Sequence, residues 1–303
     1  MIRRRPLVAF FSLAMGLSWL LWLPYVLSNS GLGVLDFDYP KVLGLTQLVG
    51  VMPGAYAGPL SAAFLVTAIA EGRPGLRAWR RRLTHWRVGW RWYLAVLVGV
   101  PAALLVSALV VPGAWAGIAV PSVMALAVYL PLLAVQMVTT AAAEEPGWRD
   151  YALPRLQRRY GPVQGTVVLG VMWGVSHLLL FLTKWGGGPG VAWWHPVVFV
   201  ATCVPLSLVM TWLFNRTSRG LPLIMVFHAS INNTMSVVWT SVFPGVHPEY
   251  GPTLATSVAA SVGAAAVLLA TRGRLGMSVA EVDEIPAERA STAEHRSKVP
   301  ALV

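Results

Sequence analysis

Long apolar runs separated by short polar or basic stretches set the pattern of this chain. They fall at residues 7–27, 43–70, 93–111, 117–141, 163–182, 196–214, 221–243 and 253–270. Each holds about the twenty residues a helix needs to cross roughly 30 Å of hydrocarbon at about 1.5 Å per residue. No soluble core accounts for so many, so the pattern predicts an all-α, polytopic transmembrane helical bundle of about eight spans. Pro53, Gly54, Gly58 and Pro59 inside the second run predict bends rather than ends, because membrane helices tolerate both residue types. The first run follows Arg3-Arg4-Arg5 as a signal peptide would. It is too long for a signal-peptide core and has no convincing small-residue cleavage site before Asp36, so it is predicted to stay as the first span.

Between the second and third runs, residues 71–92 mix arginine with Leu76, Trp79, Leu83 and Trp86 at spacings of three and four. That spacing predicts a short helix lying in the membrane interface. The chain then divides into N-terminal helices with this basic segment (1–116), a central membrane core (117–243), a last helix (244–271) and a tail (272–303). The tail mixes acidic and basic side chains with little apolar content and is predicted to be disordered. No internal repeat is visible, which gives no support to a transporter built from inverted halves.

Composition sharpens this picture. Hydrophobic residues make up 56% of the chain and charged residues 12%, against roughly a quarter charged in a soluble domain. The net charge of +11 invites a nucleic-acid reading, but the arginines sit in clusters between apolar runs. That is how cytoplasmic loops are marked, and nucleic acid is excluded as a partner. With both termini inside, only Lys41 and Lys184 of the 23 Lys and Arg fall outside, together with Asp36, Asp38 and Glu249. The expected location is a multi-pass position in a cell membrane, bacterial in type, with the lipid bilayer as first partner. Cys203 is the single cysteine, so no intramolecular disulfide forms.

Ionisable groups in membrane spans are costly and each needs a reason. Of six histidines, His177 and His228 lie well inside spans, and Glu144-Glu145 is the acidic pair at the end of the fourth run. Arg149 follows Glu145 at ion-pair spacing if the helix continues, and Pro146 predicts a bend there. Asn232 lies one turn after His228 and shares its face. Taken singly, each has a bland reading: a solvated acidic helix end, a histidine bonded to a carbonyl or to Ser176, and polar glue between helices. Together, a carboxylate, two imidazoles and an amide are the groups that amide hydrolysis needs: a base for water and donors for an oxyanion. His, His and Glu are also common zinc ligands. No His-Glu-x-x-His is present, so spacing does not establish a metal.

Glu144-Glu145-x-x-x-Arg149, an aromatic-x-x-x-His ending at His177, and His228-x-x-x-Asn232, in that order, resemble the CPBP family. These are the CAAX-processing and bacteriocin-processing intramembrane proteases, also called the Abi family. The resemblance covers about residues 117–240 and implies an intramembrane endopeptidase with Glu144 as general base. His177 would hold the attacking water, His228 and Asn232 would supply the oxyanion donors, and Glu145 and Arg149 would support the site. The implied substrate is a membrane-associated peptide or protein, prenylated CAAX-type or bacteriocin-related. Family members are often classed as metalloproteases, while a metal-independent glutamate mechanism has also been argued. The expectation here is a site without a tightly held ion; if zinc is bound, Glu144, His177 and His228 are its ligands.

Two positions depart from the pattern. Trp173 stands where the motif usually has Phe, so wall packing with a somewhat smaller cavity is expected. Asp150 stands where Gly is frequent, and is expected to alter the local bend or to give Arg149 a second acidic neighbour. The competing readings are a non-catalytic immunity or scaffold protein and, further off, a transporter. One tension remains in the sequence. His177 lies about 24 Å along a straight helix from Gly161, whereas Glu144 is expected at the cytoplasmic end of its own span.

Overall fold

The computed structural model describes residues 2–42, 46–246 and 250–285. Among them there is no β-strand, and eight helical stretches are long and apolar enough to cross a membrane. They are α1 (Pro6–Leu27), α2 (Gln47–Leu83), α3 (Trp90–Ala108), α4 (Val123–Tyr160), α5 (Pro162–Leu182), α6 (Trp194–Arg216), α7 (Leu221–Val242) and α8 (Gly251–Thr271). The chain is an integral membrane protein built as an all-helical bundle. Helices α5 and α6 pack along each other, α6 packs on α8, α3 packs on α7 and α8, and α1 packs on α2. Glu249, the start of the expected second span at 43–45 and the tail from 286 lie outside the described residues.

Two helices run much further than their apolar runs. Helix α2 continues to Leu83 across Gly72, where φ is +64° and ψ is −155°. That backbone region is open essentially to glycine alone, and it re-aims residues 73–83 as a separate helical segment. This is the short basic helix expected between the second and third spans. Trp79 is buried on its inner face, while Arg77, Arg80 and Arg81 stay exposed.

Helix α4 was expected to end near residue 141, and instead it is helical from Val123 through Tyr160. Pro146 does not stop it, because the helix widens into π-helical turns at Met137–Ala141 and Pro146–Ala152. Such turns re-space the backbone ladder and recur at functional sites. A further π-helical turn at Thr234–Val238 follows Asn232 in α7. The residues read as a solvated end are therefore interior: Glu145 and Arg149 have no side-chain exposure, and Asp150 is buried.

Gly161 takes φ +86°, a left-handed value that suits glycine, and reverses the chain between α4 and α5. The paired helices close against each other from this turn. Counted from Gly161, Glu144 is about 25 Å back along α4 and His177 about 24 Å forward along α5. The apparent mismatch in depth came from ending α4 too early.

The first part of the tail is ordered, contrary to the expected disorder. Leu275 is fully buried beside Leu208 and Ala264, and Asn215 Nδ2 donates to its carbonyl at 2.8 Å. Ser278 and Glu281 form a reciprocal capping box, with the Ser278 N–H donating to Glu281 at 2.7 Å and the Glu281 N–H to Ser278 Oγ at 3.2 Å. The Ser278 backbone and hydroxyl donors hold the Glu281 carboxyl below its ordinary range. Residues 279–285 are helical. Sparse apolar residues suffice here because Leu275 and Ile285 are buried.

Candidate functional site

Helices α4, α5 and α7 bring Glu144, Trp173, His177, His228 and Asn232 to the wall of one cavity of about 220 Å³. The remaining wall is largely apolar, with Phe199, Leu206, Met210, Ile231 and Met235 among its residues.

Glu144 is the hub. Its Oε1 faces His177 Nε2 at 3.6 Å, and its Oε2 accepts the indole N–H of Trp173 at 2.6 Å. His177 Nδ1 lies 2.9 Å from the Trp173 carbonyl. A carbonyl only accepts, so Nδ1 carries a proton, and in the neutral form of the ring the lone pair is on Nε2, the atom that faces Glu144. The Ser176 hydroxyl donates to that same carbonyl at 2.6 Å. Trp185 stacks on the His177 ring at 5.6 Å between centroids and Phe199 leans on it at 5.5 Å. The ring is therefore fixed in orientation, with Nε2 toward Glu144.

Behind this pair lies a buried charged cluster. Glu145 Oε1 accepts from His228 Nδ1 at 2.7 Å, which leaves Nε2 as the free position of that ring. Glu145 Oε2 lies 3.4 Å from Arg149 Nε. Arg149 donates to Ser207 Oγ at 3.3 Å and to Met210 Sδ at 3.2 Å, and its guanidinium lies over the Trp173 ring at 4.9 Å. Asp150 does not face Arg149. It accepts from Arg82 Nε at 2.7 and 3.0 Å, tying the basic segment after Gly72 to α4. Asn232 lies at the cavity with its Nδ2 donating to Thr140 Oγ1 at 3.4 Å.

Sequence reasoning missed three of these contacts: Glu145 with His228, the Trp173 indole with Glu144, and Arg82 with Asp150. The first had a signal. Adjacent residues on a helix point about 100° apart, so Glu144 and Glu145 cannot serve the same partner. The other two join elements far apart in the chain, and nothing local announces them.

Among the described residues no three His, Cys, Asp or Glu side chains are arranged to hold a metal ion. The expected set of Glu144, His177 and His228 does not fit a three-ligand zinc site in this arrangement.

The fold and site define a class: a polytopic helical membrane protein holding a carboxylate, two imidazoles and an amide around one mainly apolar cavity. Residues 125–235 match the family described as Type II CAAX prenyl endopeptidase Rce1-like. That stretch contains every residue named above from Glu144 to Asn232. It is similar to CAAX prenyl protease 2 of Methanococcus maripaludis, at 26% identity over 107 residues, covering 34% of this chain and 39% of that protein. The chain thus spans about two-fifths of the length of the curated relative it matches.

Proposed function

We propose that this protein is an intramembrane endopeptidase that hydrolyses a peptide bond of a membrane-associated substrate. The observation that carries the reading is the approach of Glu144 Oε1 and His177 Nε2, 3.6 Å apart at the wall of the cavity and both acceptors when the ring is neutral. A water donating one O–H to each would keep its oxygen lone pair free to attack a carbonyl carbon. Glu144 takes the water proton as the C–O bond forms. The oxyanion then lies within reach of donors on Asn232 Nδ2 and on protonated His228 Nε2. Glu145, accepting from Nδ1, supplies the counter-charge that an imidazolium at His228 needs. When the C–N bond breaks, protonated Glu144 returns its proton to the leaving amine nitrogen.

The apolar wall suits a lipid-linked or hydrophobic peptide. The similarity to CAAX prenyl endopeptidases favours a prenylated CAAX-type substrate, with bacteriocin-related peptides as the other class. The mechanism is written with these four side chains and water alone.

The test is cleavage of a quenched-fluorescent farnesylated CAAX peptide, and of an unprenylated leader peptide, by purified protein in proteoliposomes. Glu144→Gln, which is nearly isosteric, His177→Ala and His228→Ala should each lower kcat by 10² to 10⁴ or more, on the order expected of general acid–base groups. The triple variant should be little worse than any single one, as for residues acting as a unit. Asn232→Ala should cost about 10² to 10³. Full cleavage activity in Glu144→Gln would refute the mechanism, and no cleavage of either peptide by the wild-type protein would support a scaffold.

A further inference from the structure

We propose that Trp173 is a positioning residue that sets the catalytic carboxylate through its indole N–H, a role that the phenylalanine usual in this motif has no atom to perform. The inference rests on the reading of Glu144 as the base. Its own basis is geometric. Trp173 reaches both members of the reacting pair by different atoms. Its carbonyl accepts from His177 Nδ1 at 2.9 Å and its indole donates to Glu144 Oε2 at 2.6 Å. The first contact belongs to the backbone and any residue supplies it. The second belongs to tryptophan.

A carboxylate free to rotate presents its two oxygens in many directions. A donor fixed on Oε2 leaves Oε1 as the oxygen turned toward His177 Nε2. The indole cannot drift, because it is held from several sides. Arg149 lies over its ring at 4.9 Å, His228 meets it edge-on at 5.5 Å between centroids, and the side chain is buried. The cation above the ring also polarises the N–H and strengthens it as a donor. The site is thereby pre-organised by packing rather than by substrate.

Two variants and one probe test this. Trp173→Phe keeps a ring and the carbonyl and removes the donor. Trp173→3-benzothienylalanine, introduced at that codon alone, keeps the full bicyclic shape and replaces N–H by sulfur. With the farnesylated CAAX peptide, both should lower kcat by about ten- to a hundredfold, as loss of a hydrogen bond to a charged group implies. KM should stay within about twofold, a split that a mere loss of packing would not give. Independently of activity, the protein labelled with ¹⁵N on its 14 tryptophans should show one far-downfield indole signal. That signal should be absent in Trp173→Phe and should move upfield in Glu144→Ala.

An indole signal unmoved by Glu144→Ala overturns the proposal. So does full kcat in the benzothienyl variant when Glu144→Gln is inactive. Full activity in Glu144→Gln overturns the underlying reading as well, and the two failures are thereby told apart.

Discussion

Replacing Glu145 by glutamine should destabilise the protein by about 3–5 kcal/mol, and adding Arg149→Met should recover most of that loss. Glu145 and Arg149 are both fully buried, with 3.4 Å between Oε2 and Nε. At an effective dielectric of about 20, charges at that separation attract by about 5 kcal/mol. Glutamine keeps an oxygen able to accept from His228 Nδ1, so the change removes the charge and leaves the hydrogen bond in place. What remains is a buried guanidinium whose other contacts are Ser207 Oγ, Met210 Sδ and the Trp173 face. None of these is an anion. Methionine at 149 removes the stranded charge and fills similar space beside Met210. The assay is an SDS titration of purified protein in mixed micelles, followed by circular dichroism for wild type, both single variants and the double. A Glu145→Gln protein within about 1 kcal/mol of wild type would refute the reasoning. So would a double variant no more stable than the single, because then the pair does not carry the burial of this segment.

Arg82→Ala should cost about 3 kcal/mol and Asp150→Ala nearer 1, measured by the same titration. The Asp150 side chain is 1% exposed and would be stranded, while Arg82 at 36% can reach water. Equal costs would contradict that asymmetry. In a Cys203→Ser background, an impermeant thiol reagent applied to intact cells should label a cysteine at Lys184 and spare one at Arg80, both exposed positions; the reverse pattern would invert the orientation drawn from the arginine clusters. Prolonged chelation should leave peptide cleavage intact, with metal below one ion per chain by mass spectrometry. Stoichiometric zinc, with activity lost on chelation and restored by zinc, would make Glu144 and both histidines ligands instead.

The spans were legible because crossing a bilayer demands long apolar runs, and few other constraints write themselves so plainly into a sequence. The end of α4 was not legible, for a specific reason. Glu145, Arg149 and Asp150 look like a solvated terminus unless their partners are known, and those partners are remote in sequence. His228 lies 83 residues from Glu145, and Arg82 lies 68 residues from Asp150. Pairing makes these charges tolerable inside the bundle, and π-helical turns let the helix pass Pro146. Neither compensation has a local signature. Trp173 is a similar case: its donor could be read from its side chain, but its acceptor could not.

Convergence of the site, by contrast, could have been derived. A glycine turn joining two helices acts as a mirror: residues at equal distances before and after it meet at the same level. Glu144 and His177 satisfy that condition about Gly161 to within one residue, which is about 1.5 Å of rise. Trp173, one turn before His177, lies a little nearer the mirror, so its indole can reach Glu144 from below while its carbonyl meets the imidazole from its own helix. The reflection fixes level and not rotation. Rotation is set by which faces the two helices bury against each other, and there the charges decide. Glu144 turns toward α5 and the cavity, and the roughly 100° offset of its neighbour on the helix carries Glu145 to His228 on α7. The adjacent acidic pair thus divides its labour between two histidines on two helices, one for each carboxylate.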